Sequence, residues 1–151
     1  MPPPSTAPAI EKIDSSYLES LVGYNARRAS LAIVESFLER MAVHELKPVL
    51  FSVLSLIGHN PGITSRQLCA TLNILPPNLV GMINGAESRD LITKRPHPRD
   101  GRAMGLHLTP AGKKLMHQAE ADASALEQAA TARLSLAERK TLMRLLQKIY
   151  A

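Results

Sequence analysis

Apolar residues recur at helical spacing in five blocks along the chain. Over residues 15–41 one set falls at Leu18, Leu21, Val22, Ala26, Ala29, Ile33 and Phe37, and a second at Tyr17, Tyr24, Leu31, Val34 and Leu38. The two sets cover too wide an arc for a helix with one buried side. They predict a single long helix that contacts its own core and also a second chain. A short helix follows over residues 47–59, with Leu50, Val53, Leu54 and Ile57 on one stripe, Pro48 in its first turn and Asn60-Pro61-Gly62 ending it. Thr64 with Gln67 forms a capping box that opens a helix to about Leu72, burying Leu68 and Cys69. Asn73-Ile74-Leu75 then leads to a helix over residues 76–90, striped by Leu79, Met82, Ile83 and Ala86.

Residues 91–95 and 103–108 predict two short strands around a Pro/Asp/Gly-rich tip at residues 96–102. Thr109 and Pro110 cap a further helix with a seam at Leu115, Ala119, Ala123, Leu126 and Ala130. A second capping box, Ser135 and Glu138, starts a last helix expected to bury Leu142, Leu145, Leu146 and Ile149. Residues 1–14 read as a flexible tail in which Pro2, Pro3, Pro4 and Pro8 block regular structure. The expected fold is mainly α with a small β-hairpin wing, a winged helix-turn-helix flanked by N- and C-terminal dimerisation helices. The expected divisions are a tail at 1–14, a dimerisation helix at 15–45, a DNA-binding domain at 46–109 and dimerisation helices at 110–151.

Charge sharpens this division. The chain has 151 residues and a net charge of +5, but residues 1–45 sum to −2, residues 46–109 to +4 and residues 110–151 to +3. A basic middle segment suits polyanion binding, although a merely basic soluble surface has the same sum. Hydrophobic residues at 45% suffice for a core, whereas aromatics at 3% with no Trp argue against a binder that stacks single-stranded bases. The single cysteine, Cys69, excludes an intrachain disulfide. The N-terminus lacks the basic start and apolar run of a signal peptide, and no stretch reaches the ~18 apolar residues of a membrane span. A cytoplasmic protein is expected, with no membrane partner.

The candidate chemistry is duplex binding. Lys94, Arg95, Arg99 and Arg102 crowd the hairpin against one acid, Asp100, while Pro96 and Pro98 flank His97 and stiffen the tip. Such a finger can follow a phosphate backbone or enter a minor groove. An exposed loop made basic for solubility is the plainer alternative. With its apolar stripe turned inward, the 76–90 helix leaves Pro77, Asn78, Gly81, Asn84, Gly85 and Ser88 outside. Asn78 and Asn84 can pair bidentately with adenine. Gly81 and Gly85 allow close approach, each costing roughly 1 kcal/mol of helix stability. No Lys or Arg occurs between Pro76 and Ser88, so affinity must come mainly from the wing and from flanking groups such as Ser65 and Arg66.

The order of elements resembles the multiple-antibiotic-resistance regulator (MarR-type) family over about residues 17–150. The resemblance is carried by Leu68-Cys69-Ala70-Thr71-Leu72-Asn73-Ile74, Leu91-Ile92-Thr93-Lys94-Arg95, Asp100-Gly101-Arg102 and Leu108-Thr109-Pro110-Ala111-Gly112-Lys113. It implies a homodimer knitted by the first and last helices on a palindromic operator, with Asp100 orienting the wing and Arg102 reaching the minor groove. It also implies release from DNA by a small phenolic or aromatic acid. By position, Tyr24, Arg27, Arg28, His44 and His59 are candidates for lining that ligand's cleft, an Arg pairing with the carboxylate. The plainer alternative pairs Arg27 and Arg28 with Glu35 or Glu39 and leaves the histidines as surface groups. This chain departs from the family pattern at Pro77, Val80 and Gly81, where Ser/Thr and Arg are usual, and at Asp90, where Gly is usual.

Cys69 reads as a small hydrophobe rather than a redox switch. His44, His59, His97, His107 and His117 show no metal-ligand spacing. No nucleophile–base set or phosphate loop is evident, so neither an enzyme nor a cofactor is expected. Two function classes remain: a dimeric, ligand-responsive transcriptional repressor, and a weakly sequence-specific architectural DNA-binding protein of the same fold.

Overall fold

The computed structural model describes residues 12–151. Of the tail expected over residues 1–14, only residues 12–14 are described, exposed and without helix or strand; the rest lies outside the described residues. The chain divides into two compact units, one ending at Ala32 and one spanning Ile33–Ala151.

The first unit corrects the expectation of one unbroken helix from residue 15. Helix α1, Ser16–Glu19, stops and α2, Val22–Met41, begins anew. Asp14 starts α1 by accepting the Ser16 amide at 3.0 Å, a bond that holds its carboxyl below the usual carboxylate range. Side chains cause the break. Ser20 Oγ donates to the Tyr17 carbonyl at 2.6 Å, and Asn25 Nδ2 donates to the carbonyls of Glu19 and Leu21, both at 2.8 Å. The Glu19 carbonyl thereby finds a side-chain donor at the break, while the Leu21 carbonyl also accepts the Asn25 amide at 3.2 Å as α2 begins. Tyr17, Leu18, Leu21, Val22 and Leu31 all remain exposed.

The second unit holds the core. A 3-10 turn, Ala42–His44, leads to α3, Pro48–His59. A two-residue strand β1, Ile63–Thr64, follows, then α4, Ser65–Leu72, and α5, Pro76–Ser88. The hairpin strands are β2, Ile92–Pro96, and β3, Met104–Leu108, and the chain ends with α6, Pro110–Ala130, and α7, Leu136–Tyr150. The capping boxes at Thr64/Gln67 and Ser135/Glu138 both form, and Thr109 caps α6 with Pro110 behind it. Strand β1 was not anticipated. It makes the hairpin a three-stranded antiparallel sheet in the order β1-β3-β2, pairing Ile63 with Leu106 and Thr64 with Gly105. A side chain at Gly105 would stand 3.0 Å from the Gly62 carbonyl oxygen, so this close approach needs glycine. Val53, Leu54, Ile57, Leu68, Leu79, Ile83, Ile92 and Leu106 form the centre of the core, joined by Phe37, Met41, Met116 and Leu126.

The wing is tied to α6 at one junction. Asp90 adopts the left-handed conformation (φ 56°) that turns the chain from α5 into β2. Its carbonyl accepts the Thr109 hydroxyl at 2.5 Å, and the Thr109 amide donates to the Leu91 carbonyl at 3.0 Å. The same hydroxyl accepts the Gly112 amide at 2.9 Å. Gly112 lies so close to Leu91 that a Cβ would overlap the Leu91 carbonyl oxygen. Arg89, at the end of α5, donates to the carbonyls of His44 and Glu45, each at 3.0 Å, across the left-handed turn at Glu45 (φ 52°).

Several burial expectations change. Cys69 is half-buried rather than buried, because α4 is short and only Leu68 points to the core centre. In α6 the inward face runs through Gly112, Met116, Ala119 and Leu126, so Met116 is core and Ala130, at the frayed end, is exposed. Leu142, Leu145, Leu146 and Ile149 of α7 do not enter the core: they are 41, 47, 39 and 68% exposed, and α7 has no buried residue. Their apolar stripe faces outward. Among the described residues, no single helix is long and apolar enough to cross a membrane.

Two stability changes are expected. Gly112→Ala forces a methyl into the Leu91 carbonyl and should cost about 1–3 kcal/mol in urea unfolding. Arg89→Ala removes charge-assisted bonds at a partly exposed site and should cost about 1 kcal/mol in the same measurement.

Candidate nucleic-acid interface

The site is built from three neighbouring pieces of the second unit: the start of α4, the outer side of α5, and the wing. Ser65 and Arg66 occupy the first turn of α4, both exposed, where helical N–H groups and the positive end of the helix dipole face outward. Between them and the wing lies a cleft of about 520 Å³, lined among others by Thr64, Ser65, Arg66, Lys94, His97 and Asp100. A helix start and basic side chains converging on one cleft suit an anionic oxygen.

The wing tip organises itself. The Arg102 amide donates to Asp100 Oδ1 at 3.1 Å, and the Arg99 amide donates to His97 Nδ1 at 3.2 Å. Each contact closes a short turn of the tip backbone. Arg95, Arg99 and Arg102 are exposed, and among the described residues no carboxylate pairs with them. Lys94 lies 3.7 Å from Glu87 of α5, a link between wing and helix. At the wing root, His107 is held below its ordinary pKa, first by burial and then by the charges of Arg95 and Lys113.

On α5, Leu79, Ile83 and Ala86 are buried and Met82 half-buried. Pro77, Asn78, Gly81 and Asn84 are all exposed. The structure thus brings Ser65, Arg66, His97 and Asp100 to the cleft and its rim, while the outer side of α5 adds the uncharged positions. Arg89 was missed in the sequence. Its signal, a lone Arg just after a helix, is too common to single out.

Of the candidate effector residues, Tyr24, Arg27 and Arg28 belong to the first unit and His44 and His59 to the second. Arg28 Nη1 donates to the Tyr24 hydroxyl at 3.2 Å, with the guanidinium carbon 5.9 Å from the ring centroid, while Arg27 is exposed. His44 Nε2 donates to Asp122 at 2.7 Å, with its side chain only 10% exposed. His59 Nε2 donates to Glu120 at 2.9 Å, and Ser55 donates to the same carboxylate oxygen at 2.8 Å. Both histidines thus fasten the α3 region to α6.

The comparisons agree with this geometry. A model of the MarR family matches residues 44–103. A protein of Thauera aromatica assigned to transcriptional regulation of the hcr operon is 30% identical, covering 97% of this chain and 89% of its own length. The transcriptional repressor CouR, solved on a 23-mer DNA duplex, superposes with a TM-score of 0.87 at 33% identity, covering 93% of this chain and 99% of its own. CouR bound to p-coumaroyl-CoA gives 0.81 at 32% identity, over 91% and 97%. Bordetella bronchiseptica BpsR, whose DNA binding is regulated by 6-hydroxynicotinic acid, gives 0.80 at 25% identity, over 87% and 94%. The chain belongs to the MarR family of transcriptional regulators.

Proposed function

We propose that the chain acts in the cytoplasm as a homodimeric repressor that binds a palindromic operator and lets go when an aromatic acid or its coenzyme A thioester binds. The observation that carries this reading is the unpaired cationic wing beside the exposed side of α5. A phosphate backbone is the matching surface, and the guanidinium groups follow it without reading sequence. Arg102 enters the minor groove, Arg95 and Arg99 follow phosphates, and Ser65 and Arg66 hold the adjacent backbone. His97 and Asp100 shape the tip. Pro77, Asn78, Gly81 and Asn84 face the bases. CouR on its duplex supports the DNA reading.

The dimer is supported by two apolar surfaces that are exposed among the described residues. One is the Tyr17, Leu18, Leu21 and Val22 surface of the first unit; the other is the Leu142, Leu145, Leu146 and Ile149 stripe of α7. An isolated helix the length of α7 is marginal in water, so a partner must bury its stripe. Effector control is supported by the CouR and BpsR complexes. Arg27 and Arg28 of the first unit are exposed cations that suit a carboxylate or phosphate, with Tyr24 beside Arg28. His44 and His59, already held by carboxylates, act through the fold.

A second reading, an architectural duplex binder of low sequence preference, is favoured by the absence of Lys and Arg in α5. Competition binding separates the two: a repressor should prefer its operator by ~10³ or more over unrelated duplex, and a ratio near one selects the architectural protein. Arg102→Ala should weaken binding to every duplex and reduce the slope of log K against log salt by ~0.9 for each phosphate that the variant no longer neutralises. Fluorescence anisotropy across a salt series measures both. Leu145→Asp should shift the chain from dimer to monomer in sedimentation velocity, since a charge cannot stay in a buried apolar seam.

A further inference from the structure

The outer side of α5 carries no cation, and it is also cut back. Gly81 lies opposite the buried stripe of Leu79, Ile83 and Ala86, beside Pro77, Asn84 and Ser88 at helical spacing. A methyl placed on Gly81 or Gly85 would meet no atom within 4 Å, and neither residue has a positive φ. Nothing inside the protein therefore asks for glycine at either position, although glycine is a poor helix former. Two apolar side chains border this notch without cover: Val80 is 56% exposed and Leu75, at the helix start, 68%. The only acid on the helix, Glu87, is turned to Lys94.

We propose that α5 reads A·T pairs by pressing its glycine-notched face onto the major-groove floor, with thymine methyls against Pro77 and Val80 and adenine paired to Asn84. This deepens the DNA-binding reading and rests on it. The chemistry follows from the groove edges. Guanine is read by Arg or Lys on O6 and N7, and cytosine by a carboxylate on N4; α5 offers neither outward. Thymine alone presents a methyl group, which an exposed Val or Pro can cover, and adenine presents the donor–acceptor pair that an Asn amide matches. Asn is short, and it reaches a base edge only if the helix lies deep. The notch at Gly81 and Gly85 permits that depth, and the cationic wing and Arg66 hold the helix there against the phosphates.

The test selects duplexes from a random pool with the full-length chain and measures affinity for the enriched duplex. A·T pairs should dominate under α5. Replacing those thymines by deoxyuracil, which removes only the methyl, should weaken binding ~4-fold for each methyl buried, and the loss should shrink in Val80→Ala. Asn84→Ala should lower the preference for A·T at one position by ~10-fold. Gly81→Ala should raise the melting temperature of the free protein and yet weaken specific binding, with the salt slope unchanged. Enrichment of G·C at these positions overturns the proposal, as does equal affinity for the deoxyuracil duplex or wild-type binding by Gly81→Ala. In those cases duplex binding itself stands. A chain that retains no duplex even in dilute salt removes the DNA-binding reading with it.

Discussion

The contact between Gly112 and the Leu91 carbonyl sets where everything else in the second unit can sit. Because no side chain intervenes, the start of α6 lies directly on the segment joining α5 to β2. Thr109 then closes the junction, giving its hydroxyl to Asp90 while accepting the Gly112 amide. One hydroxyl thus serves a strand connection and a helix cap together. The left-handed Asp90 explains why a glycine is usual there in the family: the backbone needs positive φ, which Asp tolerates better than most residues. The segment joining α5 to the wing is accordingly fastened to the start of α6.

A second tie acts at the other side of α5. Arg89 grips the carbonyls of His44 and Glu45, and the His44 ring is held by Asp122. A chain of hydrogen bonds therefore runs from the middle of α6, through the 3-10 turn, to the end of α5. Separately, an ion pair of Glu87 with Lys94 at 3.7 Å links α5 to the wing.

Much of this was legible in the sequence because it is written in local rules. The capping boxes, the Pro-led helices and the hairpin need only near neighbours to be recognised. What was missed depends on partners distant in sequence. Strand β1 is two residues long, too short for an alternation, and exists because β3 comes beside it. The break at Ser20 and Leu21 rests on side chains capturing carbonyls, which apolar periodicity does not register. Met116 and Ala130 exchange roles because a stripe of alanines cannot reveal which edge of a helix faces inward. In the site, the wing residues were visible as a charge cluster, but the internal partners of His44 and His59 lie more than sixty residues away along the chain. Arg89 was invisible for the same reason.

The close approach of Gly105 to Gly62 divides the wing into two regimes. Below it, a Cβ on Gly105 would stand 3.0 Å from the Gly62 carbonyl oxygen, so even a methyl there requires the facing backbone to give way. Beyond it, a Cβ on Gly101 would meet no atom within 4 Å, while His97 and Asp100 of the same tip line the cleft against α4. The paired strands of the root therefore admit an added side chain less readily than the open turn around Gly101 does.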